Sequence, residues 1–140
     1  MQARVKLFCA TCEKYGLKVD KQHVITFDPK QELQSNVRKS LAADHPDFIF
    51  CNNIYLVPEV YRACIQKRIV IGEDIKIGGH GTGHTFQGIV PTLTYLRIPV
   101  FECGAKIIEF ACELINGNQD DPMVLVQPEL VIGESTSGIK

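Results

Sequence analysis

The sequence lacks three features that would each place it in a large class of proteins. No apolar stretch reaches the roughly 18 uncharged residues that a membrane-spanning helix requires. Lysine and arginine number 15 and are balanced by 16 aspartates and glutamates, so the basic face of a sequence-independent nucleic-acid binder is missing. The N-terminal residues contain no apolar block followed by a small-residue cleavage site, so we expect no signal peptide and a cytoplasmic location.

Signatures of catalysis and of cofactor binding are also missing. No serine lies in a GxSxG elbow. The glycine-rich segment 78–84 lacks the Gly-Lys-Ser/Thr end of a phosphate-binding loop and the third glycine of a dinucleotide fingerprint. His80 and His84 lie in this segment without the acidic residues of a metal site, so they are interpreted as ligand-binding or as plain loop residues. We therefore expect no enzyme activity, no cofactor and no metal.

The sequence contains six cysteines, at positions 9, 12, 51, 64, 103 and 112. An even number is compatible with disulfides, but most of these residues lie in apolar segments and nothing marks the chain as secreted. The spacing Cys9-x-x-Cys12 occurs in redox and metal sites, but here it lies inside a predicted helix and has no second pair. We expect all six cysteines to be reduced residues of the core.

Helical and strand patterns alternate along the chain. Helices are predicted over 3–15, from Asp28 to the break at His45-Pro46, after Asn53, and over 101–116; the third should bury Val57, Val60, Tyr61, Cys64 and Ile65. Strands are predicted over 23–27, 48–51, 74–77, 93–97, 123–126 and 130–132, and the tail 133–140 should be frayed. This order predicts one α/β domain over 1–140, doubly wound, with a mainly parallel sheet and helices on both faces.

Polar or aromatic residues follow three of the predicted strands directly. They are Phe27-Asp28, Asn52-Asn53 and the 78–84 loop. Ligands of open α/β sheets bind beyond the carboxyl ends of the strands, so these three segments are expected to converge on one cleft. The asparagine amides suit sugar hydroxyls, or they cap the next helix. Phe27 either packs in the core or presents its flat face to a sugar ring.

Five segments, in order along the chain, resemble the signatures of LacI/GalR-family effector domains. Val90 to Pro99, followed by Gly104, resembles "P-x-LTT-hydrophobic-x-x-P…G". The other four are Arg4–Phe8, which resembles "R-x-x-G-F", Pro46–Asn53, which resembles "P-x-A-hydrophobic-x-x-N-D", Glu73–Gly79, which resembles "x-D-hydrophobic-S-hydrophobic-hydrophobic-G", and Leu130-Val131 with Glu134–Thr136, which resemble "LV-x-R-x-ST". The resemblance covers nearly the whole chain.

The resemblance implies the C-terminal part of the effector-binding domain of a transcriptional repressor, which is half of a type I periplasmic-binding-protein-like fold. An N-terminal subdomain and a helix-turn-helix headpiece are then expected before Met1, with operator DNA bound through that headpiece. The implied partners are a small-molecule effector, a sugar by this resemblance, and a second copy in a homodimer, with no membrane. A periplasmic sugar-binding protein for transport is the alternative.

The resemblance also implies an effector site and an exposed helix. Arg4, Phe27 and Asn52 match family positions that contact the effector. The full predicted site consists of Arg4, Phe27, Asn52, Asn53, Gly81, Thr82 and His84. In this family, the helix that resembles 101–116 packs on the other subdomain, so we expect its apolar face to be exposed here and the chain to dimerise or to swap this helix.

Three departures from the family pattern affect the predicted site and the C-terminal motif. His80-Gly81 replaces an aromatic residue followed by aspartate, so a common effector carboxylate is missing. Thr82 or His84 then substitutes for it, or the effector differs in kind. Asn53 replaces another aspartate, and Gly133 replaces the arginine of the last motif.

Overall fold

Helices and strands alternate in the computed structural model, which describes residues 3–19, 23–25, 33–43, 45–82, 86, 88–117 and 123–137. Its helices are α1 (Ala3–Lys14), α2 (Leu33–Ala43), α3 (Val57–Gln66), α4 (Val100–Ile115) and α5 (Glu134–Ser137). Its strands are β1 (Phe48–Cys51), β2 (Lys76–Gly81), β3 (Thr94–Arg97) and β4 (Glu129–Val131). In these ranges no helix is both long and apolar enough to cross a membrane.

The strands form one sheet in the order β1-β2-β3-β4. The first three are parallel, and β4 is antiparallel to β3. The predicted α/β fold with a mainly parallel sheet is therefore confirmed. Because parallel strands end at the same edge of a sheet, the residues that follow β1, β2 and β3 lie near one another.

The core lies between α2, α3 and one face of the sheet. Its most buried side chains are Val37, Leu41, Cys51, Val57, Val60, Ala63, Cys64, Ile75, Ile77 and Leu93. Pro58 lies in the first turn of α3, as predicted. Backbone N–H groups there have no partner within the helix, so the missing N–H of proline costs no hydrogen bond. The prediction for Ile65 is wrong, since 68% of its surface is exposed. It lies about 100° around the helix from Cys64, outside the buried stripe.

The glycine-rich segment is a strand through Gly81, which corrects the prediction of a loop. β2 runs from Lys76 to Gly81 and pairs with β1 on one side and β3 on the other. A Cβ on Gly78 would lie 3.0 Å from Cζ of Phe48, so the missing side chain makes room for that ring. Glycine has a low strand propensity, which explains why the sequence pattern indicated a loop.

The segment that follows β4 is ordered, so the prediction of a frayed tail is wrong for residues 133–137. Ser135 is completely buried in the short helix α5. Its hydroxyl donates to the backbone oxygen of Ile77 at 2.6 Å and accepts from the backbone N–H of Thr94 at 2.9 Å. These bonds fix α5 to the beginnings of β2 and β3.

The departure at Gly133 has a steric reason. A Cβ at this position would lie 2.5 Å from the backbone oxygen of Thr92, which is closer than real Cβ atoms approach. The carboxylate of Glu134 accepts bonds from both the backbone N–H (2.8 Å) and the hydroxyl (3.1 Å) of Thr92. An arginine at 133 would require the backbone to move away from this contact.

The remaining boundaries agree with the sequence except at two predicted strands. Residues 23–25 do not form a strand, and 26–32, with Phe27 and Asp28, lie outside the described residues. Residues 123–126 do not form a strand either. Gly16 and Gly117 follow α1 and α4 with φ of 72° and 88°, as expected for glycines that end helices.

Candidate functional site

β2 extends beyond the end of β1 and so places His80 beside the turn that follows β1. The last register pair of these strands is Cys51 with Gly79, and β2 continues to Gly81. The Nε2 atom of His80 lies 2.8 Å from the backbone oxygen of Asn52. The two strand ends are therefore joined by a side chain rather than by the backbone ladder.

Helix α1 brings Arg4 to the same place. The ring of Phe8 stacks on that of Phe50 in β1, with centroids 5.1 Å apart and planes 11° apart. Arg4 precedes Phe8 by four residues and so lies on the same face of the helix. Its Nη1 atom lies 3.2 Å from Nε2 of His80. The aromatic stack thus positions a permanent positive charge at the ends of β1 and β2.

The two asparagines after β1 have different environments. The side-chain oxygen of Asn53 accepts a bond from the backbone N–H of Tyr55 at 3.1 Å, and its backbone oxygen accepts from that of Leu56 at 3.0 Å. Asn53 therefore caps the 3-10 turn Ile54–Leu56 that leads into α3. The sequence left two roles open for the asparagines, sugar binding and capping of the next helix. Asn53 has the capping role, and Asn52 is half-buried beside His80.

Gly81 and Thr82 lie at the end of β2. Gly81 is buried and pairs in register with Arg97 of β3, and half-buried Thr82 follows it. The predicted site residues Phe27 and His84 lie outside the described residues. We call the assembly of Arg4, Asn52, His80, Gly81 and Thr82 the strand-end site.

His80 was not among the predicted site residues, although it contacts both Arg4 and the Asn52 backbone. Its glycine neighbours suggested a loop. Alternation along a strand would have found it, because His80 lies two residues after Gly78, on the face where Phe50 stacks with Phe8. Over the described ranges, no three histidine, cysteine or acidic side chains are grouped so as to hold a metal.

An ion pair lies at the same edge of the sheet. Arg97, at the end of β3, forms an ion pair with Glu129 of β4. The hydrogen bond and the charge of Glu129 raise the pKa of Arg97. Arg97 is one residue beyond Leu96, the register partner of His80, so its side chain points to the other face of the sheet. This pair therefore joins β3 to β4 and leaves Arg4 as the cation beside His80.

All the cysteines are free, as predicted, but they are not all in the core. Cys12, Cys51 and Cys64 are buried, Cys9 and Cys103 are half-buried, and Cys112 is exposed. Burial raises the pKa of the Cys51 thiol to about 12, with a smaller contribution from Cys64, and burial raises the pKa of Cys64 to about 11. Both therefore remain neutral thiols, and Cys51 directly precedes Asn52 of the strand-end site.

Comparison with known proteins gives consistent matches. A family model described as a periplasmic binding protein-like domain matches residues 1–136. The HTH-type transcriptional repressor PurR of Pasteurella multocida is 28% identical over 138 residues, which are 96% of this chain and 41% of that protein. The chain thus spans less than half of the length of this relative.

Solved structures of regulators have the same fold. A LacI family transcription regulator from Clostridium acetobutylicum is 26% identical with a TM-score of 0.78, over 92% of this chain and 50% of that one. The transcriptional regulator CelR in complex with cellobiose is 18% identical with a TM-score of 0.80, over 94% of this chain and 41% of that one. The chain belongs to the periplasmic binding protein-like domain family, in the form found in the effector-binding domains of LacI/GalR-type transcriptional regulators.

Proposed function

We propose that the chain is the effector-sensing module of a LacI/GalR-type transcriptional regulator. It binds a small polyhydroxylated molecule at the strand-end site and changes the affinity of a DNA-binding segment for its operator. In this role the protein acts in the cytoplasm, as a homodimer and without enzymatic activity. The matched relatives are regulators, which favours this function over transport.

The observation that carries this proposal is the convergence of Arg4, His80 and Asn52 at one edge of the sheet. Arg4 offers several N–H donors, and an asparagine amide both donates and accepts. This combination suits the hydroxyl groups of a sugar, each of which is a donor and an acceptor. The carboxyl edge of a parallel sheet is the place where ligands of this class of fold bind.

A ligand screen tests the proposal directly. We expect a member of a panel of mono- and disaccharides, with cellobiose included because CelR was solved with it, to raise the melting temperature of the protein. A ligand that binds only the folded state stabilises it in proportion to RT ln(1 + [L]/Kd). The identified sugar should also change operator binding by the intact regulator. A panel without a single stabilising sugar contradicts the assignment of a sugar effector.

Replacing Asn52 locates the binding site. With the sugar identified in the screen, Asn52→Ala should weaken binding by about 1–3 kcal/mol, because the hydroxyl that met the amide loses its partner. Titration calorimetry measures the difference. Asn116→Ala is the matched control, since it removes an exposed amide at the end of α4 and should leave the affinity unchanged. Equal affinity in the wild type and Asn52→Ala would show that the sugar binds elsewhere.

A further inference from the structure

One nitrogen atom in the strand-end site has two partners with opposite requirements. Nε2 of His80 lies 2.8 Å from the backbone oxygen of Asn52 and 3.2 Å from Nη1 of Arg4. A carbonyl oxygen only accepts hydrogen bonds, and a guanidinium only donates them. A neutral imidazole nitrogen either carries a proton or offers a lone pair. Nε2 therefore bonds to one of these partners at a time.

The two tautomers of the ring correspond to two states of the site. With the proton on Nδ1, Nε2 accepts from Arg4 and tethers the guanidinium to β2. With the proton on Nε2, the ring donates to the backbone oxygen of Asn52, and the Nη1 donor of Arg4 becomes available to a ligand. Both contacts lie within hydrogen-bonding distance, so the exchange needs a proton shift and little movement of the ring.

We propose that His80 is a positioning residue. Its Nε2 atom changes its hydrogen-bond partner from Arg4 to the backbone oxygen of Asn52 when a ligand binds to Arg4. A ligand that accepts from Nη1 of Arg4 competes with the lone pair of His80 for that donor, so its binding favours the tautomer that donates to Asn52. This role in sensing rests on the function proposed above. The exchange itself is a property of the unliganded protein and is tested without a ligand.

The exchange connects the strand-end site to helix α3. Asn52 is followed by Asn53, whose backbone and side-chain oxygens cap the turn that leads into α3. Helix α3 contributes Val57, Val60 and Cys64 to the core. A hydrogen bond formed at the oxygen of Asn52 thus acts on the turn from which α3 begins. Binding of a ligand to Arg4 in α1 therefore changes a hydrogen bond made by β2, and this bond acts on the start of α3 on the opposite face of the sheet.

Nitrogen NMR of the histidine rings tests the exchange. Spectra are recorded at about pH 8.5, where histidine rings are neutral, and His80 is assigned by its loss in His80→Gln. In the wild type, the Nε2 signal should lie between the positions of a lone-pair nitrogen and a protonated nitrogen. In Arg4→Met, which removes the donor but retains a long apolar stem, it should shift to the protonated position.

The control is Arg62→Met, which removes an exposed arginine of α3 that pairs with Glu59 and should leave the Nε2 signal unchanged. An Nε2 shift that is the same in the wild type and Arg4→Met overturns the proposal, as does an equal shift in the control. Because no effector is added, a negative result here leaves the sugar screen unaffected, and a failed screen leaves the exchange unaffected.

Two substitutions of His80 separate the exchange from simple packing. Glutamine can accept from Arg4 through its oxygen and donate to Asn52 through its nitrogen at the same time, whereas phenylalanine does neither. The guanidinium signals of Arg4 should remain distinct from those of a free side chain in His80→Gln and merge with them in His80→Phe. Loss of the distinct signals in His80→Gln as well, with retained circular dichroism, overturns the proposal.

Discussion

A single buried hydroxyl, that of Ser135, satisfies backbone groups of two strands. Its oxygen donates to the carbonyl of Ile77 and accepts from the N–H of Thr94. Ile77 is 0% exposed and Thr94 is 8% exposed, so both backbone groups are buried together with the hydroxyl. Replacement by a residue without a hydroxyl would leave both groups buried and unpaired, which is more costly than the net value of the bonds themselves.

We therefore expect Ser135→Ala to lower the free energy of unfolding by about 1–3 kcal/mol per unsatisfied buried group. Urea denaturation followed by circular dichroism measures the change. The control is Ser137→Ala, because Ser137 is an exposed residue of the same short helix whose hydroxyl donates to Gly133. It should change the stability by less than about 0.5 kcal/mol. A loss in Ser135→Ala no larger than that of the control would mean that water replaces the hydroxyl.

The buried thiols of Cys51 and Cys64 are expected to resist alkylation. Only the thiolate reacts, and burial raises the pKa of these groups to about 12 and about 11, while Cys112 is exposed. Iodoacetamide at about pH 8 should therefore label Cys112 in the folded protein and label Cys51 and Cys64 only after unfolding. Peptide mass spectrometry follows each site. Equal labelling rates at Cys51 and Cys112 in the folded protein would contradict the burial of Cys51.

The same two thiols make stability depend on alkaline pH. A group whose pKa is raised by folding stabilises the native state below its unfolded pKa, and this contribution is lost as the pH rises above that value. The ordinary thiol value is 9.0, and the folded values are about 12 and about 11. The stability of the protein should therefore decrease from pH 9 upwards, as the unfolded chain ionises thiols that the folded chain keeps protonated.

At the scale of the elements, sequence patterns predict the helices and strands whose own residues favour that structure. β1 was predicted at its observed bounds because an apolar run without alternation is typical of a strand covered on both faces. The beginning of α3 was predicted from Pro58. β2 was predicted too short, because the glycines at 78, 79 and 81 contribute to tertiary packing and not to strand propensity. Helix α5 was missed since it depends on the burial of Ser135.

The strand-end site was predicted in part. The rule that ligands bind at the carboxyl ends of strands, together with the family resemblance, selected Arg4 and Asn52, which the structure places on either side of one histidine. His80, interpreted as either a ligand-binding or a plain loop residue, was left out of the predicted site because the glycines around it indicated a loop rather than the strand that positions it. The effector role of these residues remains a prediction.

At the scale of the whole molecule, the distribution of apolar surface on α4 is unusual. This helix is apolar over most of its circumference, yet none of its 16 residues is buried. Phe101 is 86% exposed, Ile115 is 84% exposed, and Ile107 and Ile108 each expose about two thirds of their surface. The charged residues Lys106 and Glu109 form a pair with each other. The helix therefore presents a wide apolar face to water.

We expect the chain to self-associate through α4, because contiguous apolar surface of this extent is rarely left in water by a monomer. Ile108→Lys places a charge in the middle of that face and should shift the equilibrium towards the monomer. Glu113→Gln, on the charged side of the same helix, should leave it unchanged. Sedimentation velocity over a wide range of protein concentration distinguishes the species. If the wild type remains monomeric at the highest concentration, water alone covers this face, and the apolar composition of α4 must serve a contact that the isolated chain does not make.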